Sequence, residues 1–94
     1  MFVYNGFTEK ANKALNLALA IAGELGHTYV GSEHMLYGLA AEGSGVAATL
    51  LAKKDVTKDL VRQKLEESIG RGIPTTLSPN DFTPRSKRIL EMAI

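Results

Sequence analysis

The sequence predicts an all-α protein, a small helical bundle. Apolar residues recur at the three- and four-residue spacing of a buried helix face, and capping residues and glycines separate these runs. No segment shows the sustained two-residue alternation of a half-buried strand. Because the connections between the runs are short, we expect neighbouring helices to be antiparallel or steeply crossed.

The first predicted helix follows Thr8, whose hydroxyl can accept a hydrogen bond from a free amide of the first turn. Phe7 can pack back on the helix from outside. Gly26 suits the left-handed conformation that often closes a helix. The apolar stripe between these ends is rich in alanine, which permits close helix packing: Ala11, Ala14, Leu15, Ala18, Ala22 and Leu25.

Three further helices are predicted before residue 72. Ser32 is the predicted cap of the second, Ser44 of the third and Thr57 of the fourth. The predicted buried face of the second consists of Met35, Leu36, Leu39 and Ala40, that of the third of Val46, Ala47, Leu50 and Leu51, and that of the fourth of Leu60, Val61, Leu65, Ser68 and Ile69.

The last part of the chain repeats the beginning. Phe7-Thr8 recurs as Phe82-Thr83, 75 positions later, and residues 73–81 between the copies contain two prolines and are predicted to form a linker or extended loop. Thr83, followed by proline at the first helical position, predicts a fifth helix. We therefore expect one complete four-helix repeat in 1–72, a linker in 73–81, and the first helix of a second, truncated repeat in 82–94.

Composition excludes several functional classes. The net charge of +1 gives no electrostatic footprint for nucleic acid or a membrane surface. The absence of cysteine excludes disulfides and thiol chemistry. No apolar run is long enough to span a bilayer, and the N-terminus lacks the pattern of a signal peptide. These features predict a cytoplasmic location.

No catalytic or metal site is predicted. His27 and His34 lack the paired spacing of a zinc site, and we expect His27 to form a hydrogen bond near a helix end and His34 to pack or cap. Ser32-Glu33-His34 contains the letters of a triad, but adjacent residues on a helix point in different directions. The glycine pairs lack the Lys-Ser/Thr of a phosphate-binding loop. The chain is therefore predicted to be a binding domain, without a cofactor of its own.

Two helix starts are candidates for a ligand site. The free amides after Thr8 can hold an anion, and Glu33 can hold a cation. If the fold brought these two together, a phosphorylated guanidinium would suit the corner. The alternative is that Thr8 and Glu33 are ordinary helix-end residues. The aromatic residues Phe2, Tyr4 and Phe82 are either packing residues or, together with Arg85, a protein-docking surface.

Several blocks in this order resemble the Clp N-terminal (Clp R) repeat domain, in its ClpC-type form. Any one block alone would be weak, whereas together they cover nearly the whole chain. They are Phe7-Thr8-Glu9-Lys10-Ala11, Leu25-Gly26-His27, Tyr29-Val30-Gly31-Ser32-Glu33-His34-Met35-Leu36, Glu42-Gly43-Ser44-Gly45 and Phe82-Thr83-Pro84-Arg85.

The resemblance implies a domain of two helical repeats that precedes AAA+ ATPase modules, where ATP and Mg are expected. Members of this family bind adaptor proteins and protein substrates, and the parent hexamer feeds the ClpP peptidase. The ClpC-type branch resembles a binder of phosphorylated arginine. Carried over by position, Thr8 would take phosphate and Glu33 guanidinium, and Thr83 would begin a second pocket whose glutamate lies beyond Ile94.

Other interpretations remain open. The chain could be a structural interaction domain without a phosphoarginine pocket, or a stand-alone accessory protein with a single repeat. The apolar face of the fifth helix, with Leu90 and Met92, would lack partners in a truncated second repeat, which predicts a dimer formed through that helix.

Overall fold

The computed structural model describes Val3, residues 8–43, residues 46–84 and Arg88. These residues form four α-helices: α1 (Glu9–Glu24), α2 (Ser32–Glu42), α3 (Val46–Lys53) and α4 (Lys58–Ile69). A short 3-10 helix follows (Pro79–Asp81), and one isolated β-bridge joins Val30 to Phe82. The predicted all-α class is confirmed. Within the described ranges, no helix is long and apolar enough to cross a membrane.

Helix α1 contributes a long buried face to the core, and its predicted limits are confirmed. Thr8 caps it by accepting a hydrogen bond from the Ala11 amide at 3.2 Å. Leu25 is the C-cap, and Gly26 follows with a φ of +74°, the left-handed conformation that favours glycine. Every residue of the predicted apolar stripe is buried: Ala11, Ala14, Leu15, Ala18, Ala22 and Leu25.

Helix α2 packs closely across α1. A Cβ atom at Gly38 would collide with the Ala14 carbonyl oxygen and lie 3.3 Å from the Ala18 Cβ. Glycine at this position therefore lets the two backbones approach to a distance that any other residue would prevent. The alanine-rich stripe of α1 thus has the role that its small side chains predict.

Two sequence predictions for α2 are wrong in detail. The N-cap is Gly31, with an extended backbone, and Ser32 is already the first helical residue. Leu36 was predicted to be buried but is 37% exposed, whereas its neighbour Met35 is fully buried. Successive residues point about 100° apart around a helix, so Met35 and Gly38 face α1 while Leu36 faces sideways toward α4.

Helix α4 completes the core against the second half of α1. Thr57 caps it as predicted, accepting from the Leu60 amide at 3.2 Å. Val61 and Leu65 pack with Ile21 and Leu25. The predicted cap of α3, Ser44, lies outside the described residues, as do the side chains of Val46 and Ala47. Leu60 and Leu50, which were also predicted to be buried, are 40% and 54% exposed.

The segment after α4 runs in extended form back over α1. The Thr75 amide donates to the Gly23 carbonyl at 2.9 Å, and Leu77 is buried in the core. Phe82 is only 5% exposed and packs with Leu15 and other core residues. Phe82 is therefore a packing residue, and its interpretation as an exposed docking aromatic is wrong. The division into 1–72, 73–81 and 82–94 stays a prediction.

Candidate ligand-binding site

Among the described residues, one isolated β-bridge joins Phe82 to Val30, shortly before the start of α2. The Val30 amide donates to the Asp81 carbonyl at 2.9 Å, and the Thr83 amide donates to the Val30 carbonyl at 3.1 Å. The Asp81 carboxylate accepts from the Ser78 amide at 2.8 Å, which holds the turn that leads into the bridge. Thr83 is consequently fixed beside the residues that begin α2.

Glu33 stands exposed at this corner. Its Oε2 lies close to Gly31, at 3.3 Å from where a Cβ atom of that residue would be. Since Gly31 follows the bridged Val30, the carboxylate and Thr83 lie on neighbouring parts of one surface. Within the described part of the chain, Glu33 takes part in no ion pair. Among the described residues, Glu33 is therefore a carboxylate without an ion pair close to Thr83 and the bridge.

Thr8 lies elsewhere. The start of α2 is next to the end of α1, because His34 in the first turn of α2 contacts His27, which is three residues beyond the last residue of α1. The 16 residues of α1 give it a length of about 24 Å, and Thr8 is at its far end. The structure does not bring Thr8 and Glu33 together. These two residues therefore do not form the common ligand site that the sequence suggested. The threonine that the bridge holds near the start of α2 is Thr83.

A chain of hydrogen bonds through two buried histidines fixes the start of α2. The Gly31 amide donates to His34 Nδ1 at 2.9 Å. The distance from His34 Nε2 to His27 Nδ1 is 2.6 Å, and that from His27 Nε2 to the Gly70 carbonyl is 2.7 Å. The predicted roles of His27 near a helix end and of His34 as a packing or capping residue are confirmed. Their bond to each other was not predicted.

The hydrogen-bond partners determine both tautomers. His34 Nδ1 accepts from an amide, so its proton must be on Nε2, which donates to His27 Nδ1. His27 then carries its proton on Nε2 and donates to the Gly70 carbonyl. An additional proton on His34 Nδ1 or on His27 Nδ1 would point at a hydrogen-bond donor and would break that hydrogen bond. Burial, and to a smaller extent the neighbouring His27, lower the pKa of His34, while Glu33 raises it, and the net result is a pKa of about 4.

This pair predicts a loss of stability in mild acid. The folded-state pKa of His34 is about 4, below the ordinary 6.5, so the unfolded chain takes up the proton first. The contribution of neutral His34 to the free energy of unfolding is fully present above pH 6.5. It falls by ~3 kcal/mol in all as the pH decreases from 6.5 to about 4. We expect the urea midpoint to be clearly lower at pH 5 than at pH 7.5.

The control for this prediction is His34→Gln, because its amide can accept from Gly31 and donate to His27 without titrating. We expect its midpoint to change much less between the two pH values. Equal losses in the wild type and in His34→Gln would show that His34 is not the responsible group.

The remaining predicted site residues are not at this corner or are not described. Phe2, Tyr4 and Arg85 lie outside the described residues, as do Leu90 and Met92 of the predicted dimer face. In the described ranges, no group of three or more metal-ligating side chains comes together. The contact between His27 and His34 was not predictable from sequence. The two residues are seven positions apart and are separated by a connector, so no helical periodicity links them.

The fold defines a class: the described residues form an all-α helical domain. The model of one family, the Clp repeat (R) N-terminal domain, matches residues 6–94. The chain belongs to the Clp repeat (R) N-terminal domain family.

Its relatives are subunits of much larger size. The chain is 42% identical over 92 residues to the "ATP-dependent Clp protease ATP-binding subunit ClpA homolog" of Porphyra purpurea, and 44% identical over 92 residues to the homolog of the same name from Cyanidium caldarium. It is 41% identical to the "Chaperone protein ClpC1, chloroplastic" of Arabidopsis thaliana. Each alignment covers 98% of this chain but only 10–11% of the relative.

Proposed function

We propose that this domain binds protein substrates and adaptor proteins as the N-terminal part of a ClpC-type ATP-dependent unfoldase that feeds the ClpP peptidase. The support is the family match over residues 6–94 and the names of the relatives, which are ATP-binding subunits of Clp protease. In this proposal the domain is a binding module and not an enzyme. ATP and Mg belong to AAA+ modules outside these 94 residues, and the location is the cytoplasm.

The proposed ligand is phosphorylated arginine in a protein substrate. Glu33 binds the guanidinium group, because a carboxylate can accept two parallel hydrogen bonds from it. Thr83, which directly precedes Pro84, supplies a hydroxyl for the phosphate. The observation that carries this assignment is the bridge between Val30 and Phe82, which holds Thr83 beside the start of α2.

Thr8 belongs to a second copy of the pocket in this proposal. Thr8 and Thr83 are 75 positions apart, and the same offset from Glu33 falls beyond Ile94. Each pocket would then combine a threonine of one repeat with a carboxylate of the other. In the described residues the Thr8 hydroxyl caps α1, which is compatible with either use.

The test is a titration of the ¹⁵N-labelled chain with free phosphoarginine, followed by NMR. We expect chemical-shift changes to concentrate at 30–34 and around Thr83, and to be small at Thr8–Ala11. Arginine and phosphoserine serve as controls, because each offers only one of the two charged groups. An absence of saturable shifts with phosphoarginine would overturn the proposed ligand, and shifts centred on Thr8 would overturn the assignment of Thr83.

A further inference from the structure

An open apolar groove lies between α2 and α4, directly next to Glu33. We define the α2–α4 groove by its apolar residues Leu36, Val56, Leu60, Val61 and Leu65, with a cavity of about 150 Å³. Leu36 and Leu60 are 37% and 40% exposed, although both are large and apolar. Exposed leucines facing a common groove are a feature of surfaces that take an apolar side chain from a partner.

The charged side chains at the rim of the groove indicate the kind of group that binds next to it. Glu33 and Lys64 both line the groove. The Lys64 ammonium has a carboxylate of its own helix, Glu67, at 3.9 Å, whereas Glu33 has no ion pair within the described ranges. Among the described residues, Glu33 is thus the charged group of the groove without an ion-pair partner, and its carboxylate favours a cationic group next to the apolar side chain.

The spacing between Glu33 and Leu36 along α2 determines which positions of a bound peptide can contact both residues. Glu33 and Leu36 are three positions apart on one helix, so their Cβ atoms are about 5–6 Å apart. In an extended peptide, side chains two positions apart lie on the same face, about 6.5–7 Å from each other. Neighbouring side chains point to opposite faces. An apolar residue two positions from the cationic one therefore matches the groove, and an adjacent one does not.

We infer that the α2–α4 groove is a specificity subsite that binds an aliphatic side chain two positions from the phosphoarginine held at Glu33. This inference rests on the function proposed above and specifies its substrate class: an extended segment with phosphoarginine and an aliphatic residue at a spacing of two. Leu36 and Leu60 are the specificity-determining residues. Burial of one leucine side chain corresponds to roughly a tenfold gain in affinity.

The experiment compares short phosphoarginine peptides by calorimetric titration of the full chain. One peptide has leucine two positions from phosphoarginine on each side, a second has leucine only at the adjacent positions, and a third has glycine throughout. Free phosphoarginine is measured alongside them. We expect the first peptide to bind roughly tenfold more tightly than the other two. The matched variants are Leu36→Ser and Leu60→Ser in the groove and Leu50→Ser on α3, which is exposed outside it.

The serine variants in the groove should lose the gain from leucine while still binding free phosphoarginine, and Leu50→Ser should keep both. Equal affinities of the three peptides, with free phosphoarginine still bound, would overturn the subsite and leave the proposed function intact. A failure of free phosphoarginine and of all peptides to bind would overturn both. Sedimentation of the unliganded chain as a dimer that Leu36→Ser dissociates would assign the groove to a second copy and also overturn the subsite.

Discussion

Replacement of Gly38 by alanine is expected to destabilise the domain by about 1–3 kcal/mol, the usual cost of an added methyl group in a packed contact. The new Cβ would collide with the Ala14 carbonyl oxygen of α1. That oxygen belongs to the backbone of a buried helix and cannot rotate away, so α1 and α2 would have to separate. The free energy of unfolding from urea titrations at pH 7.5 measures the effect.

Helix propensity alone predicts the opposite sign, which makes this substitution a sharp test. Alanine is favoured over glycine inside a helix by about 1 kcal/mol. Ala20→Gly measures the contribution of helix propensity in this protein, because it exchanges the same two residue types at an exposed position of α1. A Gly38→Ala variant more stable than the wild type would show that the close approach of α1 and α2 is not a constraint.

Local features of the helices were predictable from sequence. The caps at Thr8 and Thr57 and the stop at Gly26 depend on hydrogen bonds and backbone conformations within a few residues. The stripe of α1 was predictable because one helix face is buried along its whole length. The exposure of Leu36 and Leu60 was not predictable from sequence. Their spacing fits a buried helix face, and only the arrangement of α2 against α4 leaves a groove at these residues.

The candidate site depends on contacts between distant parts of the chain. The bridge joins Val30 to Phe82, and the histidine chain ends at Gly70. Neither contact leaves a signal within a local window of sequence. The resemblance named Glu33 and Thr83 as ligand residues but assigned them to different pockets. The resemblance assigned both ligand residues of a pocket to the same repeat. In the structure, the start of the second repeated block lies against the first block.

The Glu33→Ala substitution is expected to weaken phosphoarginine binding by about 30-fold or more, because it removes the carboxylate that pairs with the guanidinium. Glu33 is exposed, and the hydrogen bond from the Gly31 amide to His34 does not involve its side chain. The circular dichroism of the helices should therefore not change. The dissociation constant from calorimetry, with the wild type measured under the same conditions, gives the result.

Glu9→Ala is the matched control, because Glu9 is an exposed carboxylate in the first turn of α1, next to Thr8. It should leave the affinity unchanged if the pocket is formed by Glu33 and Thr83. Thr83→Val, which keeps the shape of the side chain and removes the hydroxyl, should weaken binding, whereas Thr8→Val should not. If instead Thr8→Val and Glu9→Ala impaired binding while Thr83→Val did not, the ligand would sit at the start of α1, and the pairing of Thr83 with Glu33 across the Val30–Phe82 bridge would be wrong.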